Sequence, residues 1–350
     1  MYQGYTIVCC TAAGRMRYMQ YIFPYVLASE IVDRYDIWVN TTNMVDIEYF
    51  KLISQRYPKV RLCWQPDGQC DGIATINAFY RDCIDDKTIY LKIDDDIVWM
   101  QPDVFERMVE FRVNHPEAFL VTPHVVNNPM SSYLWQVKGM LSYGEYMRAF
   151  PNHRVLWKRG AFALALHHYF LDKMENDRDA YRQLFCGIVP VACNRFSINF
   201  VMWFGGDMAK IKGIVPGDDE EYLSSVVAPK FGQLNYYNGN CIVAHFAFAP
   251  QRLVLDKTDV LERYGRLCEE QFCKDNAMQE VWETIKDFGK DIESRLGNIM
   301  SQPSPYPIRK KSVLSRLKSK YKNWQKLMTH KLEKWKGVKY IVEEGDIFKR

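Results

Sequence analysis

The sequence predicts an α/β protein with a mostly parallel central β-sheet flanked by helices and a helical extension at its C-terminal end. Over residues 1–125, short apolar runs alternate with segments of helical periodicity, a pattern typical of a parallel sheet covered by helices. The pattern changes at about residue 130, and residues 258–296 have mainly helical periodicity. The proline-rich stretch 301–307 then indicates a linker to a basic segment.

The first 125 residues supply most of the predicted sheet. Strands are predicted at 5–10, 35–39, 60–64, 88–93 and 119–122, and helices at 15–31, 46–56, 73–83 and 103–114. Pro24 predicts a kink or a late start in the first helix. Because ligands on such sheets gather beyond the carboxyl ends of the strands, the polar residues at these ends are site candidates: Arg15, Asn40, Asp71 and Asp94–Asp96.

The second half is less regular. A helix is predicted at 162–174, strands at 197–204 and 241–248, and an acidic loop at 213–221. The tryptophans Trp135, Trp157 and Trp203 are candidate sugar-stacking faces, although most tryptophans belong to the core.

The net charge of +4 is the sum of two unlike parts. Residues 301–350 carry fourteen Lys and Arg against four Asp and Glu, which leaves +10. The other 32 basic and 38 acidic residues give the first 300 residues a charge of −6. An acidic body argues against nucleic acid as a partner of the whole protein, so no nucleic-acid partner is expected.

Targeting and redox features are sparse. The start of the chain lacks a basic stretch followed by a long apolar run, and no run of about 18 apolar residues occurs, so neither a signal peptide nor a transmembrane helix is expected. The ten cysteines contain no CxxC pair, which predicts free thiols and no zinc site. We therefore expect a cytoplasmic protein, peripheral at a membrane if its tail binds one.

The strongest chemical signal is the run of three aspartates after the apolar stretch TIYLKI. Adjacent carboxylates repel one another, and a cation relieves that repulsion. If the strand continues through them, alternation places Asp94 and Asp96 on the same side. Oxygen-rich sites prefer hard ions, so the sequence predicts Mn²⁺ or Mg²⁺ here.

Two enzyme classes use this motif. In one, Asp-x-Asp holds a metal that bridges the diphosphate of a nucleotide-sugar. In the other, the haloacid-dehalogenase-like phosphotransferases, Asp94 is a nucleophile, and Gly217-Asp218-Asp219 supplies the later acidic motif. The phosphotransferase nucleophile normally ends the first strand, whereas three strand–helix units precede Asp94, which favours the first class. A non-catalytic scaffold that binds glycans or membranes is the third alternative.

The stretch NAFYRDCIDDKTIYLKIDDDI resembles the helix, strand and Asp-x-Asp turn of GT-A glycosyltransferases of the family 2-like kind, in the nucleotide-diphospho-sugar transferase superfamily. WFGGDMAKIKGIVPGDDEEYLS and NGNCIVAHFAFAPQRLVLDKTDVLERY resemble the distal half of such enzymes. This resemblance spans most of residues 5–265 and implies a GT-A, Rossmann-like fold. It also implies metal-dependent transfer of a sugar from a nucleoside diphosphate-sugar to a hydroxyl of a glycan or lipid-linked acceptor.

The resemblance further implies roles for individual residues and a division of the chain. Residues 1–130 form the nucleotide-sugar-binding half, 131–300 the acceptor-binding and catalytic half, and 301–350 the linker and basic tail. Asp94 faces the ribose or the metal, and Asp96 binds the metal. The loop 218–221 supplies the catalytic base, with Asp219 the first choice and Asp218 and Glu220 beside it. The alternative for this loop is an acidic helix cap.

Other candidates rest on position. His245 is a third metal ligand, a diphosphate contact or a hydrogen-bonded core histidine. Arg15 pairs with a phosphate or stacks on the base. Asn77 and Arg81 share one helical face. The predicted donor-binding set is Arg15, Asn40, Asp71, Asn77, Arg81, Asp94 and Asp95.

The basic tail has helical periodicity. Between residues 312 and 338, apolar residues recur at steps of three and four, while lysines and one arginine occupy much of the remaining surface. A basic helix with Trp, Tyr and Leu on one face is typical of an anionic membrane surface, which would bring the protein to a lipid-linked acceptor. The alternatives are docking on the acidic body or on a partner subunit.

Overall fold

The structure is a computed structural model that describes residues 1–70, 72–192, 194–307, 313–336 and 338–345. The strands are β1 (Thr6–Ala13), β2 (Arg34–Val39), β3 (Val60–Cys63), β4 (Thr88–Ile93), β5 (Ile97–Met100), β6 (Ala118–Val126), β7 (Leu141–Ser142), β8 (Ile188–Ala192), β9 (Phe200–Phe204), β10 (Leu234–His245) and β11 (Glu343–Glu344). The α-helices are α1 (Met16–Ala28), α2 (Met44–Arg56), α3 (Val104–Asn114), α4 (Pro129–Val137), α5 (Gly160–Asn176), α6 (Gly205–Ala209), α7 (Asp219–Glu221), α8 (Ala228–Lys230), α9 (Arg252–Leu255), α10 (Val260–Phe272), α11 (Asn276–Ser294), α12 (Leu296–Ser301) and α13 (Val313–Trp335). Two 3₁₀ helices span Gly72–Asp82 and Ala180–Leu184, and a π-helix spans Tyr222–Val227.

One nine-stranded sheet runs through the body in the order β3-β2-β1-β4-β9-β6-β10-β5, and β8 pairs with β10. Neighbours among β3, β2, β1 and β4 are parallel, as are β6 and β10. Strand β9 is antiparallel to both β4 and β6, and β5 and β8 are antiparallel to β10. Six of these nine described strands therefore point the same way, which confirms the predicted α/β fold with a mostly parallel sheet.

The sheet is buried on both faces, as its apolar strands require. All six residues of β4 and all nine of β6 are buried. Alternation along β1 sends Ile7 and Cys9 into one apolar layer and Val8 and Cys10 into the other. Helices cover both faces, so polar side chains at strand ends are held in fixed positions at the edge of the sheet.

Several predicted elements differ from the structure. Pro24 lies buried inside α1, which runs on to Ala28. The helix predicted at 73–83 is a 3₁₀ helix over Gly72–Asp82. β5 and α4 were not predicted, because four apolar residues are too few to show alternation and the helix begins inside an irregular aromatic stretch.

The chain turns after β4 instead of continuing as a strand. The amide of Ile97 donates to the carbonyl of Asp94 at 3.2 Å, and β5 then leaves to pair with β10 at the far edge of the sheet. The strand therefore does not continue through the aspartates, and the condition under which alternation would place Asp94 and Asp96 on the same side is not met. After this turn Asp94 pairs with Lys92, while Asp95 and Asp96 share Arg15 as a partner.

The nine cysteines within the described residues are free, as predicted, and six of them are buried. Cys193 lies outside the described residues. No helix in the described ranges is long and apolar enough to cross a membrane.

The basic tail is docked on the body. Helix α13 contacts α9, Arg159 pairs with Glu333 at 3.0 Å, and β11 pairs with β7. The half-buried residues of α13 are mainly polar, with Leu327 the apolar exception among the described side chains, whereas six other apolar residues are exposed. The exposed apolar residues, here called the outer stripe, are Leu317, Tyr321, Trp324, Met328, Leu332 and Trp335. Of the predicted tail helix 312–338, residues 312 and 337 lie outside the described residues.

The junction between β9 and α6 generates a prediction about stability. A Cβ on Gly205 would lie 2.0 Å from the carbonyl oxygen of Asp85, whereas one on Gly206 would meet atoms of Asp86 no closer than 3.6 Å. Gly205→Ala should therefore lower the free energy of unfolding by about 2 kcal/mol through overpacking. Gly206→Ala should change it by no more than about 0.5 kcal/mol. Urea unfolding measures both, and equal effects would contradict this packing.

Candidate functional site

A cleft of about 320 Å³ opens at the carboxyl ends of β1 and β4. The turn after β4, the segment before β9, the acidic loop before α7 and the end of β10 surround it. Its charged, polar and aromatic lining includes Arg15, Asn77, Lys92, Asp94, Asp95, Asp96, Trp157, Arg195, Asn199, Asp218, Asp219, Glu220, His245 and Arg252. The fold thus brings together nine of the twelve predicted site residues.

Asp95 is held by the chain segment that follows β1. Its carboxylate accepts from the backbone amide of Gly14 at 2.9 Å and from Nε of Arg15 at 3.0 Å, and Nη2 of Arg15 donates to the other oxygen. Such a bidentate pair fixes the guanidinium in one plane. Asp95 is therefore a positioning partner of Arg15, with both oxygens engaged.

Asp96 is surrounded by three basic side chains. Its carboxylate lies 2.8 Å from Arg252 Nη2, 3.1 Å from Arg15 Nη1 and 3.3 Å from His245 Nε2. Burial alone would raise the pKa of this carboxyl, but the three partners together hold that pKa well below its usual range. His245 is buried, and its Nδ1 lies 3.4 Å from the backbone oxygen of Asn127, so the predicted ligand contacts Asp96 and the backbone here.

Asp94 is paired with a buried lysine. Lys92 Nζ lies 2.6 Å from one carboxylate oxygen and also donates to the carbonyl of Ile198 at 3.0 Å. Asn199 donates to the other oxygen at 3.1 Å. Burial raises the pKa of Asp94, and the ammonium of Lys92 opposes that rise. The three carboxylates of this turn are thus matched by three permanent cations, which are Arg15, Lys92 and Arg252.

Three buried guanidinium donors in the cleft have no hydrogen-bond partner. They are Nη1 of Arg15, Nε of Arg195 and Nε of Arg252. Nη1 of Arg15 lies near Asp96, but without hydrogen-bond geometry. Buried donors are normally satisfied in native proteins, and leaving one unsatisfied costs about 1–3 kcal/mol. Their common location indicates a site for an anionic ligand with several acceptor oxygens.

Residues of the acidic loop both cap helix α7 and line the cleft. Asp218 is the N-cap of α7, since its carboxylate accepts from the amide of Glu221 at 3.1 Å, and it also pairs with Arg195 at 2.7 Å. Asp219 accepts from the hydroxyl of Tyr80 at 3.0 Å. The capping alternative therefore describes Asp218, while the predicted first-choice base, Asp219, is already bound to a phenol.

Glu220 is the carboxyl group of this loop best tuned for proton transfer. Burial, together with the neighbouring Asp219 carboxylate, raises the pKa of Glu220 to about 7, and the ammonium of Lys92 opposes that rise only in part. Arg195 lies 3.5 Å away and holds the side chain towards the cleft. A carboxylate with a pKa near neutral suits general-base catalysis.

Two further predicted residues, Asn77 and Asn40, form hydrogen bonds within the protein. Asn77 donates to the carbonyls of Val215 and Gly217 at 3.1 and 2.9 Å, so it fastens the acidic loop. Asn40 accepts from Thr75 at 2.9 Å outside the cleft lining.

Arg81 does not line the cleft. Arg81 pairs with Asp67 at 3.7 Å, away from the cleft lining. Asp71 lies outside the described residues. Among the tryptophans, Trp135 and Trp203 are fully buried, whereas Trp157 lines the cleft.

Sequence reasoning missed five polar residues of the cleft: Lys92, Asn152, Arg195, Asn199 and Arg252. The signal for Lys92 was a lysine in the middle of a run that reads as a fully buried strand, two residues before Asp94. The segment AFAPQR carried Arg252, but nothing local linked it to Asp96, which is 156 residues earlier.

The predicted metal ligands do not form a cation site as they are arranged. Within the described ranges, no group of three His, Cys, Asp or Glu side chains is placed to hold a metal ion. Both carboxylate oxygens of Asp94 and of Asp96 have cationic or amide partners that a divalent ion would have to displace. The donor set therefore does not fit a resident Mn²⁺ or Mg²⁺, and the predicted metal stays a prediction.

The comparisons with known proteins give distant likenesses. No protein-family model matches the chain, and no curated protein matches it. The chain is similar to a CMP:2-keto-3-deoxy-manno-octonic acid synthetase complexed with CTP, at 10% identity over 75% of this chain and 99% of the other, with a TM-score of 0.41. It is also similar to residues 1–349 of S. aureus TarS, at 8% identity over 84% of this chain and 74% of the other, with a TM-score of 0.40. These values are too low to carry an argument about function, so membership of the family 2-like glycosyltransferases stays a prediction.

The raised pKa of Glu220 predicts a pH dependence of stability. The folded protein holds this proton more tightly than the unfolded chain, so ionisation of Glu220 destabilises the fold. Wild type should therefore lose stability relative to Glu220→Gln as the pH rises from about 4.5 to about 7. Urea unfolding of both proteins across this range measures the difference.

Glu175→Gln is the control for that experiment. A hydrogen bond from Arg263 lowers the pKa of the Glu175 carboxyl below its ordinary value of 4.5. The stability difference between wild type and Glu175→Gln should therefore stay constant over the range in which Glu220→Gln diverges. A constant difference for Glu220→Gln as well would contradict the assigned tuning.

Proposed function

We propose that the protein is a glycosyltransferase that moves a sugar from a nucleoside diphosphate-sugar to a hydroxyl group of its acceptor. The observation that carries this proposal is the set of unpartnered guanidinium donors of Arg15, Arg195 and Arg252 in one cleft. A diphosphate offers the charge and the acceptor oxygens that these donors lack. The position of the cleft, at the carboxyl ends of the strands, is where such sheets bind nucleotides.

The donor diphosphate is neutralised by side chains of this chain. Arg15 and Arg252 approach Asp96 from two sides. Nε of Arg252 has no hydrogen-bond partner, and Nη1 of Arg15 has only its ion-pair contact with Asp96. Fixed guanidinium groups are most effective at the oxygens that become more negative as the diphosphate leaves. Asp95 and Asp96 hold the two arginines in place before the donor arrives, so little reorganisation is needed at the moment of reaction.

Glu220 acts as the general base in this proposal. The acceptor hydroxyl loses its proton to the Glu220 carboxylate while its oxygen bonds to the anomeric carbon of the donor sugar. The bond from that carbon to the diphosphate oxygen breaks, and the nucleoside diphosphate leaves with the electron pair. Lys92, beside Asp94 and close to the acidic loop, keeps part of the Glu220 population ionised near neutral pH.

The aspartyl-phosphate alternative is less well supported. A nucleophilic Asp94 requires a free carboxylate oxygen, but Lys92 binds one oxygen and Asn199 the other. The fold also places Asp94 at the end of β4, after three strand–helix units. Glycosyl transfer with Glu220 as base needs no rearrangement of these partners.

Substitution of the proposed base tests the mechanism. Glu220→Gln should lower sugar transfer at least about a hundredfold, the range expected for loss of a general base. Nucleoside diphosphate affinity should remain within about twofold, because the arginines are unchanged. Glu221→Gln is the matched control, since Glu221 is mainly exposed and also pairs with Arg195. Equal loss in both variants would assign the effect to the loop rather than to the base.

We also propose that α13 places the protein on an anionic membrane surface. The outer stripe is exposed although α13 is docked on the body, so docking does not account for its apolar residues. Lys318, Lys320, Lys322 and Lys331 are exposed on the same helix and complement the charge of anionic lipids. An exposed apolar stripe together with exposed lysines is typical of a helix that lies at a membrane interface.

Vesicle binding tests this placement. Trp324→Glu with Trp335→Glu should lower the bound fraction about tenfold in co-sedimentation with phosphatidylcholine vesicles containing about 30% phosphatidylserine. Ile214→Glu with Met300→Glu makes the same change of charge at two exposed apolar residues of the body. That control should bind as wild type does, and equal loss in the two double variants would overturn the role of α13.

A further inference from the structure

A second cavity lies between α13 and the body. This cavity, here called the helix groove, has a volume of about 430 Å³. Its walls are formed by the start of α5, by the chain around α9 and by one side of α13. The apolar lining consists mainly of Trp157, Ala249, Pro250, Leu253, Val254 and Leu327. A groove with this lining suits a hydrophobic chain.

The rim of the helix groove is strongly basic. Lys158, Arg159, Lys322 and Lys326 line it, and no acidic residue does. Arg159 pairs with Glu333 at 3.0 Å. Within the described residues, the three lysines have no carboxylate within ion-pair distance. An apolar groove edged by unpaired lysines suits a ligand with one anionic head and one hydrophobic chain.

The helix groove adjoins the cleft. Trp157 and Ala249 line both cavities, and the rings of Trp157 and Phe248 lie 6.1 Å apart at this boundary. Leu253 and Val254 of the groove directly follow Arg252 of the cleft. A ligand seated at this end of the groove would therefore lie close to the cleft.

The groove also adjoins the proposed membrane surface. Leu327 lines the groove, and Met328, the next residue, belongs to the outer stripe. A lipid leaving an anionic bilayer at α13 would thus pass from the outer stripe to the groove across a single helix, which has a diameter of about 10–12 Å.

We propose that the helix groove binds the anchor of the acceptor, which is a phosphate-bearing aliphatic lipid that carries a glycan. The lysines hold the phosphate, the apolar wall holds the start of the chain, and the glycan hydroxyl extends past Trp157 into the cleft. This assignment rests on the proposed glycosyl transfer. There the acceptor oxygen bonds to the anomeric carbon, the bond to the diphosphate breaks, and Glu220 takes the hydroxyl proton. The lipid phosphate is not altered.

Binding of farnesyl phosphate to the full chain tests the groove without any donor. Titration calorimetry should show that farnesyl phosphate binds at least about tenfold more tightly than farnesol or inorganic phosphate. Lys322→Glu with Lys326→Glu should weaken that binding at least about tenfold, because two phosphate contacts become repulsive. Lys318→Glu with Lys320→Glu is the matched control, with the same charge change on the same helix outside the groove.

The outcomes separate the groove from the catalytic proposal. Equal weakening in the two double variants, or farnesol binding as tightly as farnesyl phosphate, would overturn the groove. A thermal shift with nucleoside diphosphates on the same proteins checks the fold and the donor site. Nucleotide binding without farnesyl phosphate binding would overturn the groove alone. Farnesyl phosphate binding without nucleotide binding would overturn the proposed function, and with it the acceptor role of the groove.

Discussion

Three adjacent carboxylates at the end of a buried strand are the constraint on which the rest of the site depends. Asp95 and Asp96 are almost fully buried, and Asp94 is half-buried at the cleft. Buried charges persist only where they are paired and hydrogen-bonded. Lys92 comes from β4 itself, whereas Arg15 and Arg252 come from distant parts of the chain. Charge compensation therefore ties the end of β1, the turn after β4 and the start of α9 into one unit.

After the arginines have paired with the aspartates, some of their N–H groups still have no hydrogen-bond partner. The carboxylates fix the positions of the guanidinium groups, and the unpartnered N–H groups of Arg15, Arg195 and Arg252 remain available for a ligand. The same network tunes Glu220, because the ammonium of Lys92 opposes the effects of burial and of Asp219 on its pKa. In the proposed function, anion binding and proton transfer are two consequences of one electrostatic arrangement, and the basic groove beside α13 is the proposed place of the acceptor lipid.

The sequence allowed local features to be predicted well and distant pairings poorly. Strand β4 was predicted to the residue, because TIYLKI is an uninterrupted apolar run apart from Lys92. The positions of Arg15 and of the acidic loop followed from strand ends and loop composition. The pairing of Asp96 with Arg252 could not be predicted, because contacts between residues far apart in sequence leave no periodic signal. Alternation could not place Asp94 and Asp96, because it holds only while the strand continues and the chain turns after β4.

The central claim is that arginine side chains, held by the aspartates, bind the donor diphosphate. Titration calorimetry of a nucleoside diphosphate in EDTA, repeated with Mn²⁺, tests it most directly for wild type and Arg252→Gln. The account predicts binding of wild type in EDTA and at least about tenfold weaker binding of Arg252→Gln. Binding that appears only with Mn²⁺ and is unchanged in Arg252→Gln would contradict the account and restore the metal as the group that holds the diphosphate.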